Sequence, residues 1–116
     1  MSARAGLFDD IDSRVPERFT AHLADDVRMR FGNAEAVSGR AAVHDVWAGF
    51  CASVAGVRHD VVEQWDEGPA TIVEADVTYT RLDGSTVTVP VVTIYRSRGD
   101  LIDDYRVFID LAPVFA

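Results

Sequence analysis

The sequence predicts an α+β fold, a mostly antiparallel, strongly twisted sheet with helices on one face. Three observations carry this. Thr71 to Arg96 holds two runs rich in Val, Ile, Thr and Tyr on either side of Leu82-Asp83-Gly84-Ser85. Such residues suit a pleated surface, and Asp-Gly between them signals a hairpin. The N-terminal part instead repeats apolar residues at three- and four-residue steps, the period of helices. The second half of the chain contains four strand-like runs separated only by short turns, which favours antiparallel neighbours.

The elements follow in order. Residues 1–6 carry no pattern and are expected to fray. Leu7, Phe8, Ile11, Val15, Phe19 and Leu23 mark one helical face. Pro16 must interrupt it, so either two short helices or a new start at that point is expected, with Ser13 or Arg14 near the break and Pro16-Glu17 suited to a first turn. His22, near the end of this segment, is explained by the negative end of a helix dipole. Val27-Arg28-Met29-Arg30-Phe31 alternates, which reads as a half-buried strand with Val27, Met29 and Phe31 inward. Residues 32–35 form a turn and residues 37–40 a short connection. From Ala41 to Ala55 the residues Val43, Val46, Trp47, Phe50, Cys51 and Val54 form one helical stripe, with Gly56 expected as its C-cap. Strands are then expected at Val57–Asp66, Thr71–Arg81, Thr86–Arg96 and Leu101–Ile109. Leu111-Ala112-Pro113 stops the pattern.

At 116 residues the chain is expected to form one domain, spanning 1–116. Nineteen acidic against eleven basic side chains give a net charge of −8. This argues against nucleic acid, which needs a basic footprint, and against anionic membranes. The single cysteine, Cys51, cannot form an internal disulfide and suits a reducing cytoplasm; it reads as a small buried hydrophobe. No apolar run is long enough to span a bilayer, and the N-terminus lacks the apolar core of a signal peptide, so a cytoplasmic location is expected. His22, His44 and His59 lie in different elements with no metal-ligand spacing. There is no glycine-rich nucleotide loop and no nucleophile elbow. No cofactor is expected.

Leu23-Ala24-Asp25-Asp26-Val27, Ser38-Gly39-Arg40-Ala41-Ala42-Val43 and Tyr105-Arg106-Val107-Phe108-Ile109-Asp110 resemble the landmarks of SnoaL-like proteins. These belong to the nuclear transport factor 2-like, or cystatin-like, α+β superfamily, and the resemblance covers nearly the whole chain. It implies a cone, a curved, mostly antiparallel sheet wrapped around N-terminal helices with a pocket open at one end, and dimers through the outer face of the sheet. It does not imply one activity, because the fold hosts enzymes, binders and assembly domains. Limonene epoxide hydrolase, laid over this sequence, places one of its aspartates on Asp76. Its arginine falls on Glu74, its other aspartate on Val107, and its tyrosine and asparagine on Met29 and Phe31. Ketosteroid isomerase places its base on Phe31 and its oxyanion donors on Leu7 and Val92. Both named machineries are thus largely missing.

The same overlay turns His59, Val61, Glu63, Trp65, Ile72, Glu74, Asp76 and Thr78 into the cone. With four residues in the preceding turn, His59 lies opposite Thr78 and diagonal to Asp76, within reach of it. An aspartate beside a histidine fixes its tautomer, a common way to build a general base. His59 and Asp76 are therefore the candidate catalytic residues. Phe31, Val46, Val61, Glu74, Val92 and Val107 are the candidate substrate-binding residues. A one-residue slip would instead turn Val73, Ala75, Val77 and Tyr79 inward. Trp47 and Trp65 read as core or pocket wall. Tyr79, Tyr95, Arg106 and Phe108 are expected outside, as a homodimer patch joined by Arg28 and Arg30. Two functions fit. One is a cofactor-free enzyme of proton transfer or hydration on a hydrophobic, polyketide- or terpenoid-like substrate. The other is a non-catalytic ligand-binding or dimerisation module.

Overall fold

The structure, a computed structural model, describes residues 6–116; residues 1–5, where fraying was expected, lie outside the described residues. The helices are α1 (Leu7–Asp12), α2 (Pro16–Thr20) and α3 (Arg40–Ala52). The strands are β1 (Leu23–Phe31), β2 (Val37–Ser38), β3 (Gly56–Glu67), β4 (Ala70–Thr80), β5 (Thr86–Arg98) and β6 (Leu101–Phe108). They form one sheet in the order β2-β1-β6-β5-β4-β3, antiparallel except for the β1–β6 pair. The helices cover the inner face of the sheet. Leu7, Ile11, Phe19, Val43, Trp47 and Cys51 from the helices pack against Val27, Met29, Val73, Tyr95, Ile102 and Tyr105 from the sheet. Each of these large side chains stabilises the fold by about 1.5–3 kcal/mol through burial.

The break at Pro16 is where the sequence puts it. Arg14 lies between the two helices with φ 57°, an uncommon conformation for a residue with a side chain. Its guanidinium donates to the carbonyl oxygens of Cys51 (3.2 Å) and Val54 (3.1 Å), at the C-terminal end of α3. The corner between α1 and α2 is thereby fastened to α3.

Several boundaries differ from the sequence reading: Val37–Ser38, read as a connection, is the short strand β2, β5 runs on to Arg98, and β6 stops at Phe108. β1 begins at Leu23 rather than Val27, because Asp25 and Asp26 extend it as solvent-facing residues. They pair with Arg40 and Arg98, the latter at 2.7 Å. Gly56 opens β3 instead of capping α3, which ends at Ser53. A Cβ on Gly56 would lie 3.1 Å from Thr80 Oγ1 and 3.3 Å from its Cβ, so this site needs the absence of a side chain.

The central hairpin pairs Thr80 with Thr86 and Ala70 with Arg96 in one unbroken antiparallel register. The β3–β4 register is split. From Glu63–Glu74 to Glu67–Ala70 it follows the register expected from a four-residue turn. Between Val61 and Glu63 it shifts by one residue, because Val62 is a bulge with no partner. Below the bulge His59 therefore lies opposite Val77, not Thr78.

The inner face of β4 has the opposite parity to the one expected, and the bulge brings His59 and Val61 to it while Glu63 and Trp65, expected inside, pair with the outer residues Glu74 and Ile72. Val73, Ala75, Val77 and Tyr79 point into the cone, and Ile72, Glu74, Asp76 and Thr78 point out. On β5, Val89, Val91, Thr93 and Tyr95 are buried, and Val92 pairs with Glu74 and Phe108 on the outer face. Tyr79 and Tyr95, expected outside, are 3% and 1% exposed inside the cone. Arg106 and Phe108 do face outward.

Candidate functional site

The inner cavity is lined by Ile11, Phe19, Met29, Phe31, Trp47, His59 and Tyr79, with Val91, Thr93, Tyr105 and Val107 on the sheet. It measures about 20 Å³, counted as space open to the centre of a water molecule, which is room for about one water. A second, open cleft of about 390 Å³ lies beyond it, lined by Phe31, Gly32, Asn33, Phe50, Ile109 and Leu111, among others. Phe31 is half-buried and belongs to both walls.

Of the residues singled out in the sequence, His59, Phe31 and Val107 line the inner cavity. The others do not. Asp76 is exposed on the outer face, opposite Asp60 and Pro90, and cannot pair with His59. Glu74 and Val92, paired with each other, share that outer face by the alternation of their strands. Val61 has inward parity but lies beyond the helices and is 49% exposed. Val46 falls on the solvent side of the α3 stripe, 40% exposed, while Val43, Trp47 and Cys51 face the sheet.

The carboxylate that His59 does hold comes from α1. Asp12 Oδ1 lies 2.6 Å from His59 Nδ1, and Asp12 Oδ2 accepts the backbone N–H of His59 at 2.7 Å. The His59 and Asp12 side chains are 9% and 19% exposed. A carboxylate only accepts, so the arrangement assigns the proton to Nδ1 and leaves a lone pair on Nε2. Phe8 lies against the imidazole, with ring centroids 4.7 Å apart. Phe8 and Asp12 are four residues apart on α1, so one helical face supplies both the ring contact and the carboxylate. That spacing is the sequence signal that could have identified Asp12: an acidic residue on the apolar stripe, at the last position before the helix breaks.

The remaining polar groups of the cavity are hydroxyls and one indole. Burial, and then the negative charge of Asp12, push the Tyr79 phenol well above its ordinary value, so it stays a protonated donor. Burial does the same to Tyr105, whose hydroxyl is hydrogen-bonded to Thr93. Trp47 stacks on Phe50 at 5.3 Å and meets Phe19 and Phe31 edge-on. Its Nε1 is the single buried side-chain nitrogen or oxygen without a partner among the described residues. No group of three or more His, Cys, Asp or Glu among the described residues is arranged to hold a metal ion. No described helix is long and apolar enough to cross a membrane.

Cys51 is buried in α3, and burial raises its thiol above the ordinary range, which fits packing rather than nucleophilic chemistry. The other two histidines hold carboxylates elsewhere, His22 on Asp10 at 2.8 Å and His44 on Glu17 at 2.6 Å.

Comparison with known proteins places this geometry in a family. Solved structures of ketosteroid isomerase-like and nuclear transport factor 2-like fold superpose on nearly the whole chain. A protein of Jannaschia sp. CCS1 described as a SnoaL-like polyketide cyclase is 21% identical, covers 95% of this chain and 84% of its own, and has a TM-score of 0.82. TerC, co-crystallised with polyporic acid, is 18% identical with a TM-score of 0.81, over 95% of this chain and 90% of its own. An epoxide hydrolase of M. tuberculosis, like limonene epoxide hydrolase, is 14% identical with a TM-score of 0.78, over 95% and 81%. At these identities the likeness shows the fold. No curated protein matches the sequence at a significant level. The sequence pattern of the SnoaL-like domain matches residues 5–105, and the chain belongs to that family.

Proposed function

We propose that this protein is a cofactor-free enzyme of proton transfer that acts on a small, hydrophobic, polyketide- or terpenoid-like substrate carrying a carbonyl group. The observation that carries the reading is the His59–Asp12 pair on the wall of a mostly apolar cavity. Asp12 holds the imidazole in one tautomer, and Nε2 is the base. Nε2 takes a proton from the carbon next to the carbonyl, and the C–H electron pair moves to oxygen as an enolate. The proton then returns to the same or a conjugated carbon. If the substrate carries a β-hydroxyl, the enolate instead expels it as water, with the proton from Nε2; hydration is the reverse. Ligands enter from the outer cleft by rotation of Phe31, because the inner cavity alone is too small. Polyporic acid in TerC is consistent with a site of this kind.

The test is hydrogen–deuterium exchange at the α-carbons of 2-tetralone in D2O, followed by NMR. The protein should raise the rate above buffer. His59→Gln should return it to the buffer rate with the fold intact, and Asp12→Asn should lower it at least tenfold. Equal rates for all three proteins would refute the assignment. The small size of the inner cavity favours the second reading, a dimerisation module whose cone is core.

Assembly through the outer sheet face is part of the proposal, on other residues than the tyrosines. Trp65, Ile72, Ile94, Val92 and Phe108 form an apolar band there. On one side stand Asp60, Glu63, Glu74 and Asp76, with Arg58 paired to Asp60, and on the other Arg28, Arg30, Arg96 and Arg106, with Asp104 paired to Arg106. A second copy placed by a two-fold axis running along β5 sets each acidic half on a basic half. Sedimentation should give a dimer at micromolar concentration that weakens with salt. Monomer at every concentration would refute it.

A further inference from the structure

We infer that the indole N–H of Trp47 is the hydrogen-bond donor that holds the ligand's carbonyl oxygen, which narrows the ligand to an uncharged, mostly apolar ketone. This rests on the reading of the cone as a ligand site, though not on catalysis by His59. Trp47 is 7% exposed and forms part of the cavity wall, yet its Nε1 has no partner. A buried donor without a partner is a standing cost to the fold, and most buried polar groups avoid it. A phenylalanine at this position would be free of that cost, though its smaller ring would give up part of the contact with Phe19, Phe31 and Phe50.

The chemistry of the complement follows from the neighbours. An indole N–H only donates, so its partner must be an acceptor. The one carboxylate near the cavity, Asp12, is occupied by His59 through both oxygens. The Tyr79 and Tyr105 phenols are kept protonated by burial, so they add donors and no negative charge. Among the described residues no arginine lines the cavity, and Asp12 is already negative, so an anionic ligand finds no counter-charge there. A neutral carbonyl oxygen flanked by hydrocarbon satisfies every condition.

The test uses 2-tetralone and its hydrocarbon counterpart tetralin as matched probes. The protein has two tryptophans, and Trp65 is 41% exposed on the outer face, so its indole resonance serves as an internal control. In 1H–15N spectra 2-tetralone should move the Trp47 Nε1–H signal downfield and leave Trp65 in place, while tetralin binds without that downfield shift. Trp47→Phe should weaken 2-tetralone about three- to tenfold and leave tetralin unchanged. The inference is overturned if the ketone binds without moving the Trp47 signal, or if Trp47→Phe weakens both probes equally. If α-exchange depends on His59 while the Trp47 signal stays still, this inference alone fails. If neither probe binds at millimolar concentration, the cone is packed core and the ligand site fails with it.

Discussion

The two faces of β4 carry opposite chemistry from adjacent residues. Val73, Ala75, Val77 and Tyr79 are between 0% and 3% exposed and form the wall of the cone. Glu74 and Asp76, interleaved with them, stand outside with Ile72 and Thr78. The difference shows that in a sheet of this kind the site is chosen by register before it is chosen by residue type. His59 would have met Asp76 diagonally in the upper register; in the lower one it lies beside Val77 and turns to a carboxylate from another element.

The largest effect that can test this comparison is a charge swap between the faces. Val77 is fully buried, and Val77→Asp places an unpaired carboxylate in the core, so it should cost at least about 4 kcal/mol and in practice unfold the domain. Asp76→Val, one residue earlier, should stay within about 0.5 kcal/mol of the parent. Denaturant titration of the two variants measures both. A severe loss from Asp76→Val would mean that the outer carboxylate has a structural partner and that the two faces are not separated as described.

A smaller effect addresses the bulge that creates the register. Deleting Val62 removes a residue without a partner and leaves Val61 opposite Ala75 and Glu63 opposite Glu74 as consecutive pairs. Both halves of the ladder should survive, with a loss of about 1 kcal/mol from reduced local twist. The His59–Asp12 contact should persist, and NMR of the imidazole can follow it. Collapse of the fold on deletion would show that the bend at Val62, and not merely the pairing on either side, shapes the cone.

The order of elements was legible because each signal is local. The 3.6-residue stripes, the Pro16 break, the Asp83-Gly84 turn and the valine-rich runs act over a few residues. The inner residues Val43, Trp47, Met29 and Phe31 could be assigned from such patterns alone. The His59–Asp12 pair could not. Asp12 and His59 are forty-seven residues apart, and one bulge, with no clear mark in Val61-Val62-Glu63, moves every residue below it by one position. The alternation of β4 itself, with valine, alanine, valine and tyrosine on one parity, was the better guide to its inner face than an overlay on the active sites of distant enzymes.

The smallest expected effect contrasts His59–Asp12 with the surface pair His44–Glu17. That pair links α3 to α2 at 2.6 Å, with side chains 33% and 72% exposed. The hydrogen bond to Glu17, and then that to Asp45, raises His44 above its ordinary 6.5. The hydrogen bond to His44 lowers Glu17 below its ordinary 4.5. A raised histidine gives stability that is complete below 6.5 and fades as pH rises through its folded value. A lowered glutamate gives stability that is complete above 4.5 and fades as pH falls through its folded value. The two windows overlap between these limits. Glu17→Gln should therefore lower the melting temperature slightly near pH 5.5, where both groups are charged, and leave it unchanged near pH 9. The pair is solvated, so the difference should also vanish in about 1 M NaCl, where screening acts over about 3 Å. Equal melting temperatures for parent and variant at pH 5.5 and low salt would leave this contact with no part in stability. A difference that survived high salt would mean that the pair is far less solvated than its exposure indicates.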